Sequence, residues 1–329
     1  MVDDNSAAAR FTISRRKAIG GFAVGTAAAW AAPSIISLDA AGAASEVPLA
    51  PVALAGGVGV FVTADAVANW RFSADAGNNW SNPAVPPVVA PVLLGGQGTA
   101  VIGMGAGGAY TFSTDGGNNW ATPATPPAFT ATAISQSGQI VADGTGQFAR
   151  TTDNGNTWVA PTTPPALVAQ LLTGTGTTAL VMDSAGTYAH SIDSGDNWVA
   201  PTTPPTITAA VMAGGGAGFV VASGTTYEYS ANGGQDFTPA TTPPPHVAAL
   251  VSGSGTNFVA TSGSQWSFSS DGGNTWTLAA GPVPIFTPNF LAGCGGLDFV
   301  AADNGGNFAY STDGGNTWAS PTSPPTIIA

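Results

Sequence analysis

Past residue 44 this 329-residue chain has no lysine and only two arginines, Arg71 and Arg150. That scarcity excludes nucleic acid as a partner, because holding a phosphate backbone needs a basic surface. Anionic membrane surfaces are disfavoured on the same ground. Carboxylates are few as well: eighteen in all, of which Asp3, Asp4 and Asp39 precede residue 45. The fifteen that remain outweigh the two arginines and leave residues 45–329 with a net charge near −13. Charged residues make up 7% of the chain, against roughly 25% in an ordinary globular domain. Thr, Ser, Asn, Gly and Pro must therefore supply the surface. A single cysteine, Cys294, cannot form an internal disulfide. It stands at the tip of a Gly-Cys-Gly turn, either as an idle turn residue or as a point for an intermolecular bridge.

Residues 1–44 differ in kind from the rest. Ser14-Arg15-Arg16-Lys17 is a positively charged start, an apolar stretch runs from Ala18 to about Ile36, and Ala41-Gly42-Ala43 is an A-x-A cleavage pattern. Gly20, Gly21, Gly25 and Pro33 argue against a permanent membrane anchor. An arginine pair before a mildly apolar, Gly/Ala-rich segment resembles a twin-arginine export signal. The resemblance implies that the protein folds before export and that the signal is then removed. No membrane insertion remains, and the location is secreted, cell-surface or periplasmic.

The informative presence is a phrase repeated seven times, S/T-x-D-x-G-x-x-W/F, at intervals of 38 to 42 residues. Its acidic and aromatic positions are Asp75 and Trp80, Asp115 and Trp120, Asp153 and Trp158, Asp193 and Trp198, Asn232 and Phe237, Asp271 and Trp276, and Asp313 and Trp318. A period near forty with a hairpin turn in every copy predicts repeated four-stranded units. In the second copy, apolar runs at Val88–Leu94 and Thr99–Met104, then Ala109–Thr114 and a strand from Trp120, are separated by glycine-bearing turns, as an antiparallel meander requires. Double prolines such as Pro86-Pro87 and Pro126-Pro127 cannot sit inside a paired strand and mark the crossing to the next unit. Five residues before each acidic position stands an aromatic: Trp70, Tyr110, Phe148, Tyr188, Tyr227, Trp266 or Phe308. The other face of that strand is small or polar, so bulky faces meet shallow ones around a ring. The expected fold is all-β: a seven-bladed β-propeller of four-stranded antiparallel blades, over residues 45–329. Thr326-Ile327-Ile328-Ala329 reads as the start of another inner strand that overlaps or replaces Leu49–Leu54 as the ring closes.

These repeats resemble the Asp-box (bacterial neuraminidase, sialidase-like) family, with six of seven boxes intact and the fifth departing through Asn232 and Phe237. The resemblance implies that the box is the turn between third and fourth strands. Its Asp accepts backbone N–H bonds and its Trp wedges under the blade, a structural role with no part in catalysis. It also implies that ligands sit on the face opposite the boxes, at the mouth of the central channel.

Inner strands are expected at 49–54, 88–94, 128–135, 166–172, 206–212, 246–251 and 285–292. They contain no carboxylate, arginine or lysine. Their polar content is Thr130, Thr132, Ser135, Gln170, Thr206, Thr208, His246, Thr287 and Asn289. Sialidases use three arginines, a Tyr–Glu pair and an acidic proton donor, and this chain lacks the arginines for that. Asp65, Asp143, Asp183 and Asp303 fall in turns between second and third strands, on the expected ligand face. They are either good turn formers or contacts for a sugar or cation, and two of them could flank a glycosidic bond. His246, after Pro244-Pro245, is a further candidate contact at the channel mouth. His190 replaces an aromatic and reads as a packed ring. Arg71, Glu228 and Arg150 are expected to form ion pairs between blades. No zinc set, Ser/His/Asp set, phosphate loop or EF-hand acid is present in the sequence, so no metal, cofactor or catalytic residue is assigned. The reading is an exported, monomeric, non-catalytic binding or scaffolding module for a protein or carbohydrate. The alternatives are a sialidase-like or other glycoside hydrolase, and an assembly factor like the photosystem II propellers.

Overall fold

The computed structural model describes residues 46–328, so the export-signal reading of residues 1–44 lies outside the described residues. Seven antiparallel sheets follow one another along the chain, each running inner, second and third strand in order, and a further two-stranded sheet joins Glu46–Pro48 to Thr326–Ile328. The inner strands are Ala53–Gly57, Pro91–Gln97, Ala133–Ile134, Leu171–Thr175, Val211–Gly215, Leu250–Ser254 and Phe290–Cys294. Each lies against the inner strand of the next sheet, and the seventh lies against the first. The ring is closed.

These strands begin three to five residues later than the sequence suggests. The apolar residues that precede them, among them Leu49, Val89, Phe129 and Leu167, belong to the crossing segments and pack into the clusters between sheets. An apolar run shows burial, and burial alone does not separate a paired strand from a packed crossover.

The fourth strand is shorter than expected. It is a two-residue strand in the fifth and sixth sheets, Thr238–Pro239 and Thr277–Leu278. In the other five it is one bridge, such as Phe72 with Ser81 and Phe112 with Ala121. A proline stands three residues after the aromatic in each of those five (Pro83, Pro123, Pro161, Pro201 and Pro321). Proline lacks the N–H that another rung would need, so the outer edge stops there.

Hydrophobic burial is divided among seven clusters, each shared by two neighbouring sheets. At every junction the repeat-turn aromatic stacks on the third-strand aromatic of the preceding sheet. Trp120 meets Trp70 with centroids 4.6 Å apart, and Trp318 meets Trp266 at 4.7 Å. The last junction, Trp80 on Phe308 at 5.4 Å, is built like the rest. Burying such a ring contributes roughly 1.5–3 kcal/mol, with about 0.5–1.5 kcal/mol more from the aromatic pair.

The repeat turn holds itself by a fixed set of bonds. Ser73 Oγ donates to Asp75 Oδ1 at 2.9 Å and accepts the Gly77 N–H at 2.9 Å. Asp75 Oδ1 accepts the Asn79 N–H at 2.8 Å, while Trp80 Nε1 donates to the Gly77 carbonyl at 2.8 Å. Burial pushes the Asp75, Asp115, Asp153, Asp271 and Asp313 carboxyls up, but the bonds they accept outweigh it and hold each below the usual range. Asp193, under the same balance, is lowered to about 2. The next residue but two then latches the previous sheet: Asn118 Oδ1 accepts the Ala84 N–H at 3.1 Å, and Asn78 Oδ1 accepts that of Thr322 at 3.0 Å.

Thr326–Ile328 neither overlaps the first inner strand nor replaces it. Glu46–Pro48 pairs antiparallel with Thr326–Ile328 as a separate clasp. Arg71 donates to the Thr326 carbonyl and, at 2.7 Å, to that of Trp70, so it clamps the clasp and does not form the expected ion pair. Glu228, buried, accepts from the Thr206 N–H at 3.0 Å and from the Thr206 hydroxyl. Thus it too is bonded within its own sheet and not to a cation. Arg150 does bridge sheets, with Nη2 at 2.9 Å from Asp196 Oδ1.

Candidate functional site

One residue of each inner strand occupies the same half-buried axial position: Leu54, Leu94, Ile134, Leu172, Met212, Val251 and Leu291. Two residues further on stand Gly56, Gly96, Gln136, Gly174, Gly214, Gly253 and Gly293. Glycine is required in this layer because the strands meet backbone to backbone. A Cβ on Gly253 would lie 2.5 Å from the Gly214 carbonyl oxygen, and one on Gly293 would lie 2.8 Å from that of Gly253. Gln136 is the exception. Its side chain crosses the axis from the third sheet, donating through Nε2 to the Gly253 carbonyl at 2.6 Å and accepting the Gly214 N–H at 3.3 Å.

Two axial cavities share Gln136 in their lining. One, of about 220 Å³, is walled by the seven axial apolar positions. The other, of about 360 Å³, is walled by the tips of the inner hairpins, among them Gly57, Gly98, Gly176, Gly216 and Gly255. Those tips share a face with the repeat turns, since the Gly116 N–H donates to the Thr99 carbonyl at 2.8 Å and the Ser194 N–H to that of Thr177 at 2.8 Å. The larger cavity thus opens on the repeat-turn face, opposite the face where the Asp-box resemblance implied a ligand. Gln97 also borders it, and its buried Oε1 has no hydrogen-bond donor. Among the described residues, none that lines either cavity is ionisable. None is among the nine polar residues expected in the channel: eight precede the true inner strands, and Ser135 follows the third one, buried and accepting the Ile140 N–H at 3.1 Å.

The four turn acids are each bonded inside their own turn. Asp65 Oδ1 accepts the N–H groups of Val67 at 3.0 Å and Asn69 at 2.8 Å. Asp143 accepts those of Thr145 and Gln147, both at 2.8 Å, and the Thr145 hydroxyl at 2.7 Å. Burial pushes the Asp143 carboxyl up, but these bonds prevail and lower it. Asp183 accepts the N–H groups of Ala185 and Thr187, and Asp303 those of Gly305 and Asn307. The bond to the fourth residue on is the one that the repeat-turn carboxylates also make, here on the opposite face.

His246 is not at the channel mouth. It occupies the crossing position filled by Leu49, Val89, Phe129, Leu167, Ile207 and Phe286 elsewhere. It is 5% exposed, with Nε2 3.0 Å from Ser267 Oγ. His190 is packed as expected, 5% exposed, with Nδ1 donating to the Gly233 carbonyl at 3.1 Å. Gln136 and Gln97 are the residues that sequence reasoning missed. Superposing the repeats would have exposed Gln136 as the one non-glycine in its column.

No protein-family model matches the chain, and no curated protein sequence does. Solved structures do. The computationally designed Ika8 protein is similar at 12% identity over 86% of this chain and 90% of that one, with a TM-score of 0.54. The structure of Kap60 bound to yeast RCC1 is similar at 9% identity, over 82% of this chain and 80% of that one, with a TM-score of 0.54. An ancestral GH74 enzyme is similar at 12% identity and a TM-score of 0.52, over 84% of this chain but 46% of the enzyme. Likeness at such low identity is likeness of fold, and the chain is an all-β propeller.

Proposed function

We propose that this chain is an exported, non-catalytic propeller of Asp-box (sialidase-like) repeats, acting as a binding or scaffolding module for a protein or glycan outside the cytoplasmic membrane. The observation that carries the reading is the commitment of the four turn carboxylates on the face where a ligand is expected. Asp65, Asp143, Asp183 and Asp303 each accept N–H groups of their own turns, and the axial cavities are walled by uncharged residues. A retaining or inverting glycosidase needs two carboxyl groups free to face one bond, and bonded turn acids are poorly placed for proton transfer. The repeat-turn motif and its bonds support membership of the Asp-box class. Ser14-Arg15-Arg16-Lys17 and the A-x-A pattern support export by a twin-arginine route.

The test is a hydrolysis screen of purified protein against sialosides and neutral glycosides, run beside a pull-down from the native cell envelope. No turnover and a reproducible captured partner are expected. Turnover that disappears in Asp65→Asn or Asp303→Asn would refute the reading.

A further inference from the structure

In two sheets the residue that follows the third-strand aromatic is charged, and its side chain reaches the crossing segment that enters its own sheet. In the first sheet Arg71 donates to the carbonyl of Trp70 at 2.7 Å and to that of Thr326. In the fifth, Glu228 accepts the Thr206 N–H at 3.0 Å and the Thr206 hydroxyl. Thr326 and Thr206 both directly follow a double proline. In the third sheet the corresponding residues are Ala149 and, after Pro126-Pro127, Ala128. A methyl group cannot fill the space that Arg71 and Glu228 fill. A rim cavity of about 440 Å³ lies there, with Ala128, Gln147, Phe148, Ala149, Trp158 and Pro161 in its wall. That volume is within the range of small-ligand sites, roughly 300–1,000 Å³.

The cavity keeps the acceptors that Arg71 uses. The Phe148 carbonyl corresponds to that of Trp70, and the Ala128 carbonyl to that of Thr326. In the fifth and sixth sheets the fourth strand supplies a donor at the first of these positions: the Ala240 N–H donates to the Tyr227 carbonyl and the Ala279 N–H to that of Trp266, both at 2.9 Å. In the third sheet Pro161 stands in that place and has no N–H to give. The proline does not screen the carbonyl from the cavity side. Pro83 holds the same place in the first sheet, and Arg71 Nη1 still reaches the Trp70 carbonyl.

The contacts also select the sign of the ligand. Both partners of Arg71 are backbone carbonyls, which survive the change of side chain to Ala128 and Phe148. Glu228 relies in part on the Thr206 hydroxyl, which Ala128 lacks. Behind the wall, Asp143 Oδ2 lies 3.0 Å from Nε2 of Gln147, so a carboxylate there repels an anion and attracts a cation. A planar guanidinium can bond two carbonyls at once, which a point-like ammonium does less well. The apolar surfaces of Ala149 and Pro161 suit the aliphatic stem behind such a head.

We propose that this rim cavity binds the guanidinium of an arginine side chain from a partner protein, held between the Phe148 and Ala128 carbonyls as Arg71 is held in the first sheet. The proposal rests on the binding-module reading and names the chemistry of the partner.

The test titrates N-acetyl-arginine amide into the isotope-labelled full chain and follows the amide resonances of Gly146, Gln147 and Ala160 by NMR. Saturable shifts are expected. N-acetyl-citrulline amide, of the same shape but neutral, should bind about tenfold more weakly, the loss expected for charge-assisted hydrogen bonds. Ala149→Arg puts the chain's own guanidinium into the cavity and should abolish the shifts. Ala149→Leu fills the cavity without charge, should abolish them too, and serves if Ala149→Arg fails to fold. Absence of saturable shifts in the native protein overturns the proposal. So do shifts that persist in the folded Ala149→Arg and Ala149→Leu variants, or citrulline binding as tight as arginine binding. Any of these, with a partner still captured from the cell envelope, removes this site and leaves the binding-module reading standing. Hydrolysis in the glycoside screen removes that reading instead.

Discussion

Asn232 and Asp236 form the same pair of bonds as Asp75 and Asn79, with carboxylate and amide exchanged. Asn232 Oδ1 accepts the Asp236 N–H at 3.0 Å, and Asn232 Nδ2 donates to Asp236 Oδ2 at 2.9 Å. In the first turn Asp75 Oδ1 accepts from the Asn79 N–H at 2.8 Å, and Oδ2 accepts from Asn79 Nδ2 at 2.6 Å. The fifth copy therefore keeps this pair of bonds although its sequence departs from the motif, and lacks only the indole bond to the turn carbonyl that Phe237 cannot donate. Restoring the consensus with Asn232→Asp should destabilise the protein by about 1 kcal/mol, because it removes the donor and sets two carboxylates together. The double exchange Asn232→Asp with Asp236→Asn should return stability to near the starting value. Denaturant midpoints of the three proteins check this, and a stabilised single variant would contradict it.

The glycine two residues after each acidic position is fixed by its neighbour as well as by its own backbone. Gly77 has φ of +94°, and a Cβ there would lie 2.4 Å from Val300 Cγ2 of the seventh sheet. Gly77→Ala should cost about 3 kcal/mol, from a left-handed alanine and an overpacked contact. Combining it with Val300→Ala should cost less than the sum of the two single changes, since the clash is shared. Strict additivity in urea titrations would show that the two residues do not meet.

The repeat spacing, the glycine turns and the double prolines were enough to read the ring from the sequence, because each is a local signal copied seven times. The axis was harder to read. Leu49 and Leu54 are both apolar, yet the first packs in a crossing segment and the second in a strand, and their difference is one of backbone pairing. His246 illustrates the same limit. It looks like a residue beside a run of prolines, and only its place in the column of Leu167 and Ile207 shows it to be interior. Gln136 was invisible for another reason: its partners, Gly214 and Gly253, lie 78 and 117 residues away, and they offer only backbone atoms.

Ring closure can be separated from the terminal clasp. The clasp is three residue pairs, Glu46 with Ile328 to Pro48 with Thr326, whereas Trp80 on Phe308 joins the first and seventh sheets within the core. Trp80→Ala should therefore cost about 3–5 kcal/mol. Removing residues 326–329 should cost less, about 2–3 kcal/mol, through the lost pairing and the buried surface of Ile327. The truncated chain should keep its near-ultraviolet circular dichroism and unfold at lower denaturant. Loss of that signal in the absence of denaturant would make the clasp essential to the ring.

Acid should unfold the protein in two stages, and the order follows from which groups the fold holds deprotonated. Burial lowers both histidines below their ordinary value near 6.5, against the Gly233 carbonyl and Asp236 for His190 and against a bond at Val247 for His246. The unfolded chain takes up those protons first. Stability is therefore full above about pH 6.5 and falls as the pH drops toward the lowered values. The six turn acids are lowered as well, Asp193 to about 2. Their contribution is present above about pH 4 and declines below it, as the unfolded carboxylates protonate before the folded ones. Denaturant midpoints should fall modestly as the pH drops below about 6.5, then steeply below about pH 4. His190→Phe should reduce the first decline and leave the second, because Phe72, Phe112 and Phe268 fill the equivalent third-strand position in other sheets without a titrating group. A first decline of unchanged size in a variant lacking both histidines would place its origin elsewhere.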